Sequence, residues 1–367
     1  MTDRSTHIQA AMKSRALDAV LLAAPPNIAY VCGFRAQPHE RLIALVVLAD
    51  GGQHLVCPSL EEQAARTAVD GRAELHVWRD EEGPAKALEA ALAGATRVGI
   101  EKHHLSVANA ELAAAAVPVA TFTGCDELVA DLRAVKSETE VETLRRAADI
   151  VDVVVEQLAA AAAPGATEAD LAEECRRQAR AAGAEALAFE PLILTGPRSA
   201  LPHGHSGTTP LAEGDLLIVD IGVVVGGYCS DITRTFVVGS EPDDRQREMF
   251  EIVHAAERAG IDAASVGAPA REVDEAARRV IADAGYGPNF VHRTGHGLGL
   301  EVHEPPYLTA ANDEPLRAGM VVTVEPGIYV DGWGGIRIED DVVVRPGTAE
   351  VLTHAPIGLT AAEVVTP

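Results

Sequence analysis

The stretch HRTGHGLGLEVHEPP gathers three of the chain's 13 histidines, His292, His296 and His303, among Gly295, Gly297 and Gly299, and it closes on Glu304, Pro305 and Pro306. Each glycine costs about 1 kcal/mol relative to alanine inside a helix, so His292 and His296, though four apart, are not expected on one helical face. The glycines suit backbone that turns sharply or lets another group approach closely. Histidines carried on such backbone are candidates for holding a ligand or a metal. Taken alone, the same pattern also describes a Gly-rich surface loop with solvated histidines.

A second stretch, LLIVDIGVVVGGYCSDITRTFVV, reads as two strands joined at Gly226 and Gly227, the kind of dipeptide that a tight hairpin favours. Counting outward from that turn sets Val225 opposite Tyr228 and Gly222 opposite Asp231. Asp220 then shares a face with Gly222 and stands one diagonal step from Asp231. Two carboxylates so close repel each other and raise one pKa unless a cation lies between them. The flanking Val219, Ile221 and Ile232 point to burial, where an uncompensated carboxylate costs several kcal/mol. Further on, GMVVTVEPGIYV places Glu325 at the end of an apolar strand, and GGIRIEDDVVV places Glu339 inside another. Arg337, two residues before Glu339 on the same face, is a ready partner for it. Asp220, Asp231, Glu325, Glu339 and His296 make four carboxylates and one imidazole. Such a set suits two divalent ions sharing carboxylates, with manganese, cobalt and zinc as candidates.

The elements that must position these side chains follow from patterning. In the first hundred or so residues, LDAVLLAA, RLIALVVLAD and RVGIEK read as strands, while LEEQAARTAV and PAKALEAALAG read as helices, an α/β pattern. A long helix opens with Ser137 and Glu140 at capping-box spacing and ends at Pro164 and Gly165; a second opens at Thr167 and Asp170. After residue 185 strands dominate, interrupted by two helical stretches, RQREMFEIVHAAERAGIDAA and AREVDEAARRVIADAGY. These expectations divide the chain into an α/β domain over residues 1–125, a linker over 126–136, and an α+β domain over 137–367 in which helices pack on an antiparallel sheet.

The 30 lysines and arginines against 55 acidic residues leave a net charge of −25, which argues against nucleic acid and anionic membrane surfaces as partners. Five scattered cysteines with no CxxC pair argue against a disulfide framework or zinc knuckle and fit a reducing compartment. No apolar run approaches the roughly 18 residues that span a bilayer, and the first residues lack the order of a signal peptide. A cytoplasmic location is the expectation.

Residues 138–353 resemble the catalytic domain of the pita-bread metallopeptidases, the superfamily of methionine aminopeptidase, aminopeptidase P and prolidase. FEPLILTGPRSALPHG, DIGVVVGGYCSDITRTF, HRTGHGLGLEVHEPP, VVTVEPGIY and GGIRIEDDVVV carry the likeness in the right order. NIAYVCGF, Asn27 to Phe34, resembles the small creatinase-like α/β domain that prolidases and aminopeptidases P place before the catalytic one. The resemblance implies that Asp220 binds one metal, that His296 and Glu325 bind the other, and that Asp231 and Glu339 bridge them. It further implies hydrolysis of the bond before proline by a hydroxide held between the metals, with Glu325 passing the proton to the leaving nitrogen. His203 and His303 match the family's substrate-facing histidines, His292 would lie beyond the leaving residue, and Arg337 would orient Glu339. His205 follows the same motif and reads as ordinary loop chemistry.

The short chain and the GLEVHEPP wording resemble prolidase, a peptidase of Xaa-Pro dipeptides, more than the longer aminopeptidases P. Candidates for gripping a dipeptide's terminal carboxylate are His292, Arg198 and, from the N-terminal domain of the same or a neighbouring subunit, Arg35 or Arg41. The resemblance also implies a homodimer. The contrasting reading is a different use of the same fold, as a binding protein or as a hydrolase or lyase of another small molecule.

Overall fold

The structure is a computed structural model, and it describes residues 4–365. The chain divides into two compact units, Met1–Arg133 and Ala134–Pro367. The first is built on a six-stranded mixed sheet. Its strand Ala19–Leu22 pairs antiparallel with Ala44–Leu48 and parallel with Arg97–Ile100, and Gln53–Pro58 and Glu74–Trp78 extend one side of the sheet as a parallel pair. Ala19, Leu21, Val46, Val56 and Val98 form the core face, covered by Leu88 and Ala91 of the helix Ala85–Ala91. Three strands, Gln53–Pro58, Glu74–Trp78 and Thr121–Gly124, go unmarked by the apolar runs, because polar residues open each of them. The stretch expected as a linker is instead the helix Asp126–Ala134. Leu128 and Val129 of this helix are buried, which a solvated linker would not require.

In the second unit, capping boxes at Ser137–Glu140 and Thr167–Asp170 start the helices Glu138–Ala161 and Glu168–Ala181, where each hydroxyl accepts from the N3 amide and the acidic side chain accepts in return from the cap amide. Val151, Val155 and Leu158 of the longer helix pack on Val219, Ile221 and Ile232 of the sheet beneath. Burying such a side chain contributes about 1.5–3 kcal/mol, so this apolar stripe, more than the cap, anchors the helix. The helices Asp244–Ala263 and Ala270–Asp283 pack on each other and on a second set of strands.

The sheet expected here as one antiparallel surface is divided. Ile232–Val237, Leu216–Ile221 and Leu192–Thr195 make one three-stranded sheet. Glu304–Leu308, Gly295–Gly297, Val321–Val324, Asp340–Val343 and Glu350–Val351 make a five-stranded one, and Gly327–Val330 pairs only with Gly334–Arg337. The chain changes sheets at Glu325–Pro326, where the proline offers no N–H to continue a ladder, and again at Ile338–Glu339. A single bridge, Thr233 to Glu339, joins the first sheet to the second. No helix among the described residues is long and apolar enough to cross a membrane.

Candidate metal centre

The hairpin register counted from Gly226 and Gly227 is the one observed. Val225 pairs with Tyr228, and Ile221 with Ile232. Both turn glycines have positive φ, 56° and 82°, as a two-residue turn of this hand demands. Gly222 and Asp231 fall in a gap between the two ladders. A Cβ on Gly222 would lie 2.3 Å from the Ser230 carbonyl oxygen, so only glycine allows the backbone to close there.

His296 enters from the strand Gly295–Gly297, whose glycines serve close approach: a Cβ on Gly295 would sit 1.9 Å from the Thr323 carbonyl oxygen. The Nδ1 of His296 lies 3.1 Å from the Gly297 carbonyl, which can only accept, so Nδ1 carries the proton and Nε2 is bare. That Nε2 stands 3.4 Å from Glu325 Oε1 and 3.8 Å from Asp231 Oδ2. Asp231, His296 and Glu339 each offer a ligand atom within 4.8 Å of the others, all three buried. Glu325 sits just past the strand end, its amide donating to the Thr294 carbonyl at 2.8 Å. Asp220 lies on the strand Leu216–Ile221 opposite Thr233, and its carboxylate is ion-paired with Arg337.

Glu339 departs from expectation twice. It occupies the bridge between sheets rather than the inside of a strand, and Arg337 acts on it through charge without a direct hydrogen bond. The buried guanidinium of Arg337 donates instead to Asp220, to Thr233 Oγ1 at 3.0 Å and to the Tyr329 hydroxyl at 2.9 Å. Thr233 passes the contact on, donating to Glu339 Oε2 at 2.6 Å. Strand geometry explains the change, since the chain turns out of one sheet between residues 337 and 339 and the two side chains no longer share a face.

His292 and His303 also line this cavity of about 780 Å³, together with His203 and Arg293. His303 packs edge-on against His296, ring centroids 4.1 Å apart. The Nδ1 of His292 donates to the Arg293 carbonyl at 2.7 Å, and its Nε2 accepts from the Tyr329 hydroxyl at 2.8 Å. With both ring nitrogens engaged, His292 has none to offer a substrate carboxylate. His203 is exposed at the cavity wall, and His205, read as ordinary loop chemistry, lines the same wall. Arg198 is turned away from this duty, held by Glu168 at 2.9 Å and by the His205 carbonyl at 2.7 Å. Arg41 is paired with Glu40 and Asp80.

Sequence reasoning missed Thr233, Tyr329, Arg293 and Asp341. Thr233 was legible as the residue two beyond Asp231 on the same strand face, and Asp341 as part of the acidic run after Ile338. The Asp231 amide donates to Asp341 Oδ2 at 3.1 Å. Nothing in spacing alone marks Arg293, whose guanidinium stacks over the Tyr307 ring at 4.5 Å.

The electrostatics are those of a site built for cations. Burial, then the charges of Glu339, Asp220 and Asp341, push the Asp231 carboxyl far above the usual range. Burial followed by Glu325 and Asp220 does the same to Glu339. Glu325 is pushed up to about 7, again by burial first. Burial raises Asp220 as well, with Arg337 opposing it. His296 is pushed down to about 3 by burial and then by His303, so it is a neutral ligand at ordinary pH. Oδ1 of Asp220 and Oδ1 of Asp231 are buried without a hydrogen-bond partner, a costly arrangement for protein alone. Divalent cations fit these residues: they would satisfy both orphan oxygens and offset the mutual repulsion of the carboxylates.

Residues 142–346 match metallopeptidase family M24, and residues 4–135 match the creatinase/prolidase N-terminal domain. The chain belongs to metallopeptidase family M24. It is 37% identical to an uncharacterized peptidase of Staphylococcus aureus, over 94% of this chain and 96% of the other. Among solved structures it resembles the Xaa-Pro dipeptidase from Bacillus anthracis, at 32% identity and TM-score 0.90, covering 97% of this chain and 98% of that one. The X-Pro aminopeptidase from Thermotoga maritima is similar at 31% identity and TM-score 0.89, covering 98% and 99%. The pita-bread catalytic fold and creatinase-type first domain are therefore those of a divalent-metal peptidase.

Proposed function

We propose that this chain is a dinuclear peptidase that hydrolyses the Xaa-Pro bond of dipeptides, with manganese as its metal and cobalt or zinc as substitutes. The observation that carries the reading is the convergence of Asp231, His296 and Glu339 within 4.8 Å, beside two buried orphan carboxylate oxygens. In this reading Asp220 holds one ion, His296 and Glu325 hold the other, and Asp231 and Glu339 are shared. The ions supply Lewis acidity that polarises a peptide carbonyl and acidifies water. Glu325, at the end of its strand with Oε1 3.4 Å from His296 Nε2, is the carboxylate placed to carry a proton to the departing proline nitrogen. His303 and His203 are the donors toward the carbonyl oxygen as it gains charge. His292 contributes its ring surface, and Arg293 is the cation facing a substrate carboxylate. A homodimer in a reducing cytosol belongs to the same reading; the five buried free cysteines support the reducing compartment.

The likeness to the Thermotoga maritima X-Pro aminopeptidase favours a second reading, action on longer peptides. Amino-acid release from a Xaa-Pro dipeptide and a Xaa-Pro-Xaa tripeptide by manganese-loaded protein, each with a chelator control, separates the two. Chelator-sensitive cleavage of the dipeptide alone supports the first. Cleavage of the tripeptide supports the second, and cleavage of neither overturns both.

A further inference from the structure

A second group of metal-ligating side chains lies in the N-terminal unit, on two neighbouring strands that take no part in the proposed catalytic site. In the parallel pair Gln53–Pro58 and Glu74–Trp78, His54 is opposite Glu74 and Val56 is opposite His76. Opposed residues and their neighbours two positions along share a face. His54, Glu74 and His76 therefore project from one side of the sheet, the side that Val56 and the buried Trp78 occupy further along. Nδ1 of His54 is 2.9 Å from Nε2 of His76. Glu74 sends one carboxylate oxygen to 3.6 Å from that Nδ1 and the other to 4.0 Å from that Nε2.

We propose that His54, Glu74 and His76 form a separate binding site for a borderline divalent cation, zinc first, that clips the edge strand of the N-terminal sheet to its neighbour. Ligand atoms around a tetrahedral zinc stand about 3.3 Å apart when the bonds are about 2.0–2.1 Å, and the three observed spacings bracket that value. Two imidazoles with one carboxylate favour zinc, nickel or copper over manganese, whereas the carboxylate-rich set of the catalytic unit suits harder ions, so the two sites differ in metal preference. The histidine side chains are only 18% and 13% exposed while Glu74 is 68% exposed, which fixes the rings in place and leaves an open side for water. Burial lowers the His76 pKa, which keeps that ring neutral and able to bind. A hydrogen bond between two neutral rings uses the same two nitrogens and competes with a metal for them.

The site has a built-in reporter. Trp78 stands two residues beyond His76 on the same face, and the chain has only one other tryptophan, Trp333. In full-length Trp333→Phe protein, copper(II) is expected to quench the remaining fluorescence with saturation, and His76→Gln is expected to abolish that phase. Zinc titrations should show His54→Gln and His76→Gln binding one equivalent fewer than the parent while keeping manganese-dependent turnover. Equal zinc stoichiometry in parent and variants, or undiminished quenching in His76→Gln, overturns the proposal. If the histidine variants do not fold, the exposed Glu74→Gln decides: zinc affinity about tenfold weaker supports the site, and unchanged affinity overturns it.

Discussion

Replacing Arg337 with methionine tests whether its guanidinium, rather than burial alone, governs the charge on Asp220. Arg337 is 3% exposed and contacts Asp220, Thr233 and Tyr329. Methionine fills much of the same volume without donors. Burial already raises the Asp220 pKa, and Arg337 is the main influence holding it down. Once it is gone, the carboxyl in metal-free protein escapes by taking a proton. At pH 7 that escape costs at most about 4 kcal/mol, because one pKa unit is ~1.4 kcal/mol and an ordinary aspartate titrates near 4. The ceiling agrees with the roughly 3–5 kcal/mol lost when one partner of a buried pair is removed. For a unit of this size each kcal/mol moves the Tm by about 2–4 °C, so a fall of roughly 6–16 °C is expected. A carboxyl whose pKa is raised on folding binds more protons folded than unfolded, so stability declines as pH climbs from the ordinary value toward the raised one. At pH 5 the same escape costs about 1.5 kcal/mol, and the deficit of the variant should narrow by roughly 2–3 kcal/mol. Thermal melts in chelator at the two pH values measure this. A deficit of equal size at both, or one under about 1 kcal/mol at pH 7, refutes the reasoning.

Asp231→Asn should abolish turnover and manganese-induced stabilisation together: at a manganese concentration near 100 Kd the parent gains about 2.7 kcal/mol and the variant nothing. Its metal-free form should melt no lower than the parent, since one of several repelling carboxylates is gone; a retained manganese shift in melts would sink the ligand assignment. Thr233→Val deletes the hydroxyl between Arg337 and Glu339. Manganese affinity should fall about 10- to 100-fold with the fold intact, and an unchanged titration would count against Thr233 as the positioning residue. Glu257 is buried against Asp340, Arg234 and Arg258, and its pKa is pushed up to about 9 by burial and then by Asp340. Its protonated form is the one the fold favours, so that contribution is complete below the ordinary glutamate range and is lost as pH rises toward 9. Glu257→Gln should flatten the pH dependence of melting between pH 5 and 9, and parallel curves for variant and parent would refute it.

The helix starts at Ser137 and Thr167 were legible because a capping box is local, complete within four residues. The register that sets Asp220 and Asp231 on the two arms of one hairpin was legible for the same reason, since a two-residue turn sets its own register. Glu339 was read as lying inside a strand because its apolar neighbours alternate correctly, yet its place is decided by a bridge to Thr233 more than a hundred residues away. Partner choice for Arg337 was equally hidden. On one strand Glu339 is its natural neighbour, and only the change of sheet hands the guanidinium to Asp220. The linker expected at 126–136 fails for a related reason, because what makes Asp126–Ala134 helical structure is burial of Leu128 and Val129, which spacing alone does not reveal.

The seam between the two sheets of the catalytic unit has a kinetic meaning. Asp220 and Asp231 belong to one sheet's hairpin, while His296, Glu325 and Glu339 belong to the strands and turns of the other, and among the described residues the backbone joins the two sides sparsely, through the Thr233–Glu339 bridge and the Cys229 amide on the Gly299 carbonyl. In the proposed site an ion shared across that seam would have to leave before the sheets could part. The working lifetime of the loaded enzyme would then be governed by the rate of metal departure, a barrier separate from equilibrium stability. Heat inactivation should slow with added metal well beyond its effect on the melting midpoint, and protease nicking in chelator should begin beside this seam.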